Sequence, residues 1–325
     1  MSDVGSIERT TQNHIVQFFQ DDLGYTYLGN WQYRENNRNV EPDYLHAFLK
    51  QEGYSDTLIK KAIDQFQKTV TNQSQNLYEL NKTVYSSLRY GVKVRPEIGA
   101  NTETVWLINW EHPKNNHFAI AEEVTVKGEH PKRPDIVLYI NGIALGVLEL
   151  KRSTVSVSEG IRQNLDNQKQ EFIEHFFATQ QLIMAGNDTQ GLRYGTVETP
   201  EKYYLSWKED KDLENPLGSD LENALERGLA QLCSKPRLLE IIHDFTVFDK
   251  GIKKLCRHNQ YFGVKYAQHY IKNNQGGIIW HTQGSGKSLT MVWLAKWIRE
   301  SRILIVTDRD ELDKQIEGIF SGVEE

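Results

Sequence analysis

The chain has 325 residues, 38% of them hydrophobic and 25% charged, which is enough apolar material for about two domains with real cores and excludes wholesale disorder. Mean hydropathy is −0.59 and no apolar run reaches 18 residues, which excludes a transmembrane helix, and the opening MSDVGSIERTTQNH lacks the apolar centre of a secretory signal. Two cysteines, Cys233 and Cys256, exclude a disulfide framework and a four-cysteine zinc site. The ten histidines form no HExxH, and what remains is a soluble, intracellular α/β-type protein. Net charge is −6, yet local clusters rather than the total decide phosphate contact. Acid gathers in 201–225, where Glu201, Glu209, Asp210, Asp212, Glu214, Asp220 and Glu222 face only Lys202, Lys208 and Lys211, so that segment is placed away from any DNA surface.

In chain order, the first 90 residues read as helical. Apolar stripes run through Ile15, Val16, Phe18, Phe19 and Leu23, through Leu58, Ile59, Ala62, Ile63, Phe66 and Val70 with Ser55 as a cap, and through Leu77, Leu80, Val84 and Leu88 before Gly91. From about 93 the pattern turns to β-like runs at Val105–Trp110, Phe118–Val126, Ile136–Ile140 and Ala144–Leu150. Asn141-Gly142 between the last two is a hairpin signal, since both turn residues need positive φ. A helix is predicted near Ser158–Phe177, a strand at Gln181–Ala185, a linker-like break around Asn215-Pro216-Leu217-Gly218, and helices at 219–233 and 236–243. Ile278–Trp280 and Ile303–Val306 read as buried parallel strands on either side of a helix through Met291, Val292, Leu294, Ala295 and Ile298. No internal repeat or low-complexity segment occurs.

The sharpest motif is His281-Thr282-Gln283-Gly284-Ser285-Gly286-Lys287-Ser288, set between a predicted strand and a predicted helix. Glycines let backbone N–H groups turn toward phosphate oxygens, the helix start adds its positive dipole end, Lys287 would reach the β- and γ-phosphates, and Ser288 would hold Mg²⁺. His281 stands where the strict pattern has glycine, a departure that suits helicase-type loops better than kinase-type ones. The plain alternative is a Gly-rich strand–helix turn. A P-loop motor also needs a later acidic strand, a residue that orients water and an arginine. The sequence stops at Glu325, soon after the Asp308-Arg309-Asp310-Glu311-Leu312 run, so the expectation is ATP binding without turnover by this chain alone.

A second cluster joins Asp135, which opens one β-run, to Glu149 and Lys151, which close the next. Residues i and i+2 share a strand face, so Glu149 and Lys151 project together with Leu148 and Leu150 behind, and the hairpin brings Asp135 alongside. Two carboxylates hold Mg²⁺, the metal acidifies its bound water, and the lysine positions or deprotonates that water for phosphodiester hydrolysis. Glu-x-Lys is also a cheap pattern, and a charged strand end at a solvated edge is the bland alternative. Glu209-Asp210-Lys211 is a decoy of this kind, in a polar loop.

RPDIVLYING, IALGVLELKR, EGIRQNLDNQ, MAGNDTQGLRYGT, IIWHTQGSGKSLTM and VTDRDELDKQ, in this order, resemble the restriction (R) subunit of Type I restriction–modification enzymes. The likeness begins near Ile7-Glu8-Arg9-Thr10-Thr11-Gln12 and covers almost the whole chain. It implies a PD-(D/E)XK nuclease-like mixed sheet with N-terminal helices over 1–248, then an incomplete RecA-like P-loop domain over 249–325, the start of a superfamily 2 helicase motor. Asp135, Glu149 and Lys151 match the nuclease triad, with Asp135, Glu149 and Ser288 as metal ligands. Gln163 matches the glutamine of a Gln-x-x-x-Tyr motif, in which Asn167 replaces the tyrosine. Glu8 corresponds to an acid of the first helix. Arg257 and Gln260 fit the Arg-x-x-Gln element that reads adenine, and Thr282, Gln283, Gly284, Ser285, Gly286, Lys287 and Ser288 would line the nucleotide. The implied cofactors are ATP and Mg²⁺. The implied partners are double-stranded DNA and the methyltransferase and specificity subunits of a cytoplasmic complex of two R, two methyltransferase and one specificity subunit. The family's R subunit is much longer, so the sequence looks like its N-terminal piece. A binding remnant without catalysis is the rival expectation. A P-loop kinase or transporter ATPase is weaker, having no use for the Glu149/Lys151 pair.

Overall fold

Helix caps and apolar stripes build the first layer of the computed structural model, which describes residues 3–209, 216–298, 302–307 and 310–324. The elements are α1 (Asp3–Asp21), β1 (Thr26–Asn30), α2 (Pro42–Gln51), α3 (Asp56–Val70) and α4 (Leu77–Tyr90). Ser55 Oγ accepts the Leu58 N–H at 3.4 Å and Asn76 Oδ1 accepts the Glu79 N–H at 2.9 Å, so α3 and α4 each start on a side-chain cap. The three predicted stripes are buried faces of α1, α3 and α4, except that Leu23 lies past the end of α1 and is only partly buried. After a small pair, β2 (Val92–Val94) with β3 (Glu103–Val105), the chain enters β4 (Phe118–Glu122), β5 (Ile136–Ile140) and β6 (Ile143–Leu150). It continues through α5 (Val157–Asn167), β7 (Leu182–Asn187), β8 (Gly191–Gly195), α6 (Ala224–Cys233) and α7 (Lys235–Asp244).

Six strands form one mixed sheet in the order β1-β4-β5-β6-β7-β8. β1 runs parallel to β4, the β4-β5-β6 meander is antiparallel, α5 crosses over to β7 parallel to β6, and β8 returns antiparallel. Asn141 and Gly142 make the β5–β6 turn with φ of +52° and +81°, as the dipeptide predicts. A bulge interrupts the pairing: Leu138 faces Gly146 but Tyr139 faces Ala144, so Leu145 has no opposite residue. Side-chain parity therefore switches along β6. Ile143, Leu145, Leu148 and Leu150 enter the large core with the N-terminal helices, whereas Ala144 and Val147 join Val137, Tyr139, Phe176 and Phe177 on the other face. Were the strand to alternate regularly through Leu145, Glu149 would share the parity of Ile143 and Leu145 and point at the large core.

A second sheet, β10-β9-β11, is built from β9 (Thr246–Asp249), β10 (Ile252–Leu255) and β11 (Val323–Glu324), the last after α8 (His258–Lys272), α9 (Lys287–Ile298) and α10 (Asp310–Phe320). The two sheets are tied by Lys253, whose buried ammonium donates to Asn81 Oδ1 at 2.8 Å and to Gln181 Oε1. Burial, with no carboxylate in the contact, pushes its pKa well down.

Several expectations are corrected. Ile278–Trp280 and Ile303–Val306 are not strands. No described strand lies beside them to take their hydrogen bonds, and Trp280 (90% exposed) and Leu304 (87%) stand in solvent. The run from Val105 leaves the sheet after β3, because the Asn116 side chain takes the Asn109 N–H at 2.8 Å and folds 109–116 into a loop. The run from Phe118 ends at Glu122, since Glu123 has a φ of +53°. The helix from Ser158 stops at Asn167, whose carbonyl accepts the Ile173 N–H, and resumes as a 3₁₀ turn at Glu174–Ala178. The helix expected from 219 begins at Ala224, where Asn223 caps the Leu225 N–H at 2.8 Å. Asp210, Lys211, Asp212, Glu214, Asn215, Asp308 and Arg309 lie outside the described residues.

Gly142 combines positive φ with close approach, since a Cβ there would stand 2.6 Å from the Glu41 carbonyl oxygen and 2.7 Å from Tyr44 Cβ. Gly142→Ala is expected to cost roughly 1–3 kcal/mol, read as a lower midpoint in urea unfolding. An unchanged midpoint would show that the turn relaxes freely.

Candidate active site

Antiparallel register sets the two key acids against each other. Ile136 pairs with Leu148, so Asp135, one residue before β5, stands opposite Glu149 near the end of β6. The Asp135 carboxyl accepts the Leu150 N–H at 2.7 Å and lies close enough to the Glu149 carboxyl for each to shift the other's titration. Glu149 is wholly buried, which the parity switch makes possible: its side chain faces α5, where Gly160 leaves just enough space. A Cβ on Gly160 would lie 3.1 Å from Ala185 Cβ and 3.5 Å from both Glu149 Cβ and Lys151 Cγ.

The Gln163 side chain on α5 completes the cluster. Its Nε2 donates to Glu149 Oε2 at 2.7 Å, and its Oε1 accepts from Lys151 Nζ at 2.7 Å. Asp135, Glu149, Lys151 and Gln163, drawn from three elements, thus form one connected group. Leu148 and Leu150 pack behind it in the large core. Lys151 itself lies one residue beyond β6 rather than on the strand.

The electrostatics follow from burial. Loss of water pushes Asp135 up to about 6, held back by the Leu150 amide and by Lys151. Burial first and the Asp135 charge second push Glu149 well above the usual carboxylate range. Two neighbouring buried carboxyls resist ionising together, so burial and their mutual charge both favour the protonated form of Glu149.

A hard dication suits these residues. Glu149 Oε1 is buried with no hydrogen-bond partner among the described residues, an orphan acceptor that calls for a positive group. The retained proton is the charge that such an ion displaces. Among the described residues no three His, Cys, Asp or Glu side chains group as a candidate metal site, so an ion here would rest on the two carboxylates. Mg²⁺, which keeps several of its waters, binds in that manner.

Next to the pair lies a network that sequence patterns did not single out. Glu122 is 3% exposed and accepts from Arg9 Nη2 at 2.8 Å, Tyr27 OH at 2.9 Å, Asn30 Nδ2 at 3.0 Å and Gln12 Nε2 at 3.4 Å. Gln12 also donates to the Asp135 carbonyl oxygen at 3.3 Å. The one hint in the sequence is Gln12 itself, a polar residue on the buried side of α1. Asn167, in the place of the resemblance's tyrosine, is buried, and neither atom of its amide has a hydrogen-bond partner among the described residues. The Glu8 side chain lies outside the described residues.

The P-loop is a separate site. Lys287 opens α9, and its Nζ donates to the carbonyls of His281 at 3.1 Å and Thr282 at 3.0 Å. Ser285 Oγ donates to the Thr282 carbonyl at 2.8 Å. At the start of α8, Arg257 Nη1 donates to the Gly284 carbonyl at 3.2 Å and Gln260 Nε2 to the Gly286 carbonyl at 2.9 Å, while Gln260 Oε1 accepts the Arg257 N–H. Arg257 and Gln260 therefore meet the loop as a unit. Thr282 and Gln283 are exposed, and Ser288 is half-buried in the first turn of α9.

The family model described as "Type I restriction enzyme R protein N terminus" matches residues 6–203, about three fifths of the chain. The chain belongs to this family. A second model, the SWI2/SNF2 ATPase, matches residues 259–325, where the P-loop lies. Among curated relatives, the Type I restriction enzyme HindI endonuclease subunit of Haemophilus influenzae is 30% identical over 82% of this chain and 27% of its own. A relative in Methanocaldococcus jannaschii, named for the MjaIXP type I restriction endonuclease subunit, is 26% identical over 96% of this chain and 34% of its own. The Type I restriction enzyme SsaAORF53P endonuclease subunit of Staphylococcus saprophyticus is 28% identical over 66% of this chain and 23% of its own. The chain spans about a quarter to a third of the length of these relatives. No helix among the described residues is long and apolar enough to cross a membrane.

The raised Asp135 pKa fixes a pH dependence. The folded state holds its proton more tightly than the unfolded chain, so the stability from this carboxyl is complete below about 4 and is lost as pH rises toward about 6. Asp135→Asn keeps an oxygen for the Leu150 N–H and removes the titration. In EDTA at pH 8 the variant is expected to melt roughly 2–5 °C above the parent, with the gap closing near pH 4. A gap that widens on acidification would reverse the assignment.

Proposed function

We propose that this chain is the nuclease part of a Type I restriction R subunit, cutting DNA phosphodiesters with Mg²⁺, joined to the start of an ATP-driven translocase. The observation that carries the reading is the buried Asp135–Glu149 pair, linked to Lys151 through the Gln163 amide, with one carboxylate oxygen left without a partner. Residues 1–248 are read as a PD-(D/E)XK nuclease domain and 249–325 as the opening of a RecA-like motor, with the β9–β10 hairpin at the junction. The family match over 6–203 and the ATPase match over 259–325 support that division.

Asp135 and Glu149 would hold the metal. An Mg²⁺ held there would supply an acidified water and charge to offset that on the phosphate oxygens. Lys151, held in place by Gln163, directs its ammonium toward the attacked phosphate and orients the water. Gln163 keeps Glu149 Oε2 fixed, so that Oε1 is the oxygen left for the ion. At the second site, Arg257 and Gln260 meet adenine, Thr282, Gln283, Gly284, Ser285, Gly286 and Lys287 cradle the phosphates, and Ser288 holds the nucleotide's Mg²⁺. Lys287 must exchange its two carbonyl acceptors for phosphate oxygens when ATP enters. The partners are duplex DNA and the methyltransferase and specificity subunits, and the location is the cytoplasm.

In the assembled restriction complex carrying this subunit, Glu149→Ala and Lys151→Ala are each expected to lower DNA cleavage at least a hundredfold while DNA-stimulated ATP hydrolysis continues. Cutting at the parental rate in both would remove the cluster from catalysis. Lys287→Ala is expected to weaken binding of a fluorescent ATP analogue to the 325-residue chain at least tenfold. Equal affinity would place the nucleotide elsewhere.

A further inference from the structure

Glu122 and Glu123 close β4 beside the carboxylate pair, and each holds an arginine. Glu123 leaves the strand with a φ of +53°, a left-handed conformation that strains a non-glycine residue. Its N–H donates to the Asp135 carbonyl at 2.8 Å, so its position relative to that acid is set. Its charge bears on both Asp135 and Glu149. Arg133 pairs with Glu123 through Nε at 2.5 Å, and its two terminal nitrogens have no partner among the described residues. Arg9 of α1 pairs with Glu122 at 2.8 Å and with Glu123 at 3.7 Å. The arginine side chains are 42% and 45% exposed, whereas the acids that hold them are largely buried.

Charge shows what this arrangement awaits. Four carboxylates, Glu122, Glu123, Asp135 and Glu149, stand with three cations, Arg9, Arg133 and Lys151. When all are ionised the cluster is one negative charge in excess. A divalent ion leaves it one positive charge in excess, which a single phosphodiester matches. The unused guanidinium N–H groups of Arg133 are suited to take that diester's oxygens.

We propose that Arg9 and Arg133 form a phosphodiester-binding subsite for the DNA backbone on the α1 side of the carboxylate pair, and that Glu122 and Glu123 are positioning residues that fix the two guanidinium groups there. This rests on the nuclease reading and adds to it a place where the strand is gripped, distinct from Lys151 and Gln163.

Arg133 carries the test, because replacing Arg9 would strip the buried Glu122 of its cation. The full chain is titrated with a fluorescein-labelled duplex of about 20 base pairs in Ca²⁺, across a salt series. Arg133→Ala is expected to weaken binding roughly five- to tenfold and to lower the slope of log affinity against log salt by about one. Arg133→Lys keeps the slope. Lys60→Ala, which removes the same charge from the exposed side of α3, leaves affinity and slope unchanged. Glu123→Gln separates positioning from simple repulsion: positioning predicts weaker binding despite the lost negative charge, and repulsion alone predicts tighter binding. Parental affinity and slope in Arg133→Ala, or tighter binding by Glu123→Gln, overturns the subsite and leaves the nuclease reading in place. Calorimetry with Ca²⁺ alone checks that reading separately. If Glu149→Ala leaves Ca²⁺ binding unaltered and the parent chain binds no duplex, the nuclease reading fails and the subsite fails with it.

Discussion

A carboxyl group stripped of water and set against another carboxyl has few stable states: it keeps a proton, takes a metal or finds a cation. Glu149 is in that position, and much of the neighbouring structure addresses it. Gln163 takes one oxygen, Lys151 stands at the far end of the same amide, and Asp135 is turned toward it by strand register. The second oxygen is left over. A group so costly to bury is poor evidence for stability and good evidence for chemistry.

The surrounding elements deliver this site with little freedom. The Asn141-Gly142 turn fixes the pairing of β5 with β6, the pairing puts Asp135 opposite Glu149, and the bulge at Leu145 sends Glu149 to the face that α5 covers. Gly160 lets α5 come close enough for Gln163 to bridge. On the opposite side, α1 supplies Arg9 and Gln12 to the acids at the end of β4, so the helix that begins the fold also braces the site.

Much of this was legible before any coordinates. The Asn-Gly turn and the apolar runs around it located the hairpin, and the spacing of Asp135, Glu149 and Lys151 placed them at adjoining strand ends. The i, i+2 reasoning brought the same side chains together by an incomplete route. Lys151 lies past the strand, and the facing of Glu149 depends on a bulge that no composition signal marks. Arg9 and Glu122 were invisible because their contact spans over a hundred residues of sequence, and polar side chains in a helical pattern read as solvent-facing. The apolar runs at 278–280 and 303–306 misled for the complementary reason: a hydrophobic run reports what a strand needs, and neighbouring strands decide whether it forms.

The one-residue offset at Leu145 has a consequence for how this hairpin tolerates change in length. Deleting Leu145, the residue without a partner, would restore regular pleating and leave Glu149 opposite Asp135 on the face that α5 covers, with one aliphatic side chain fewer in the large core. Such a variant would fold as a hairpin and keep its two acids side by side. Relatives are therefore expected to lose a residue at this point more readily than elsewhere along the strand, where a one-residue gap turns the following side chains to the other face.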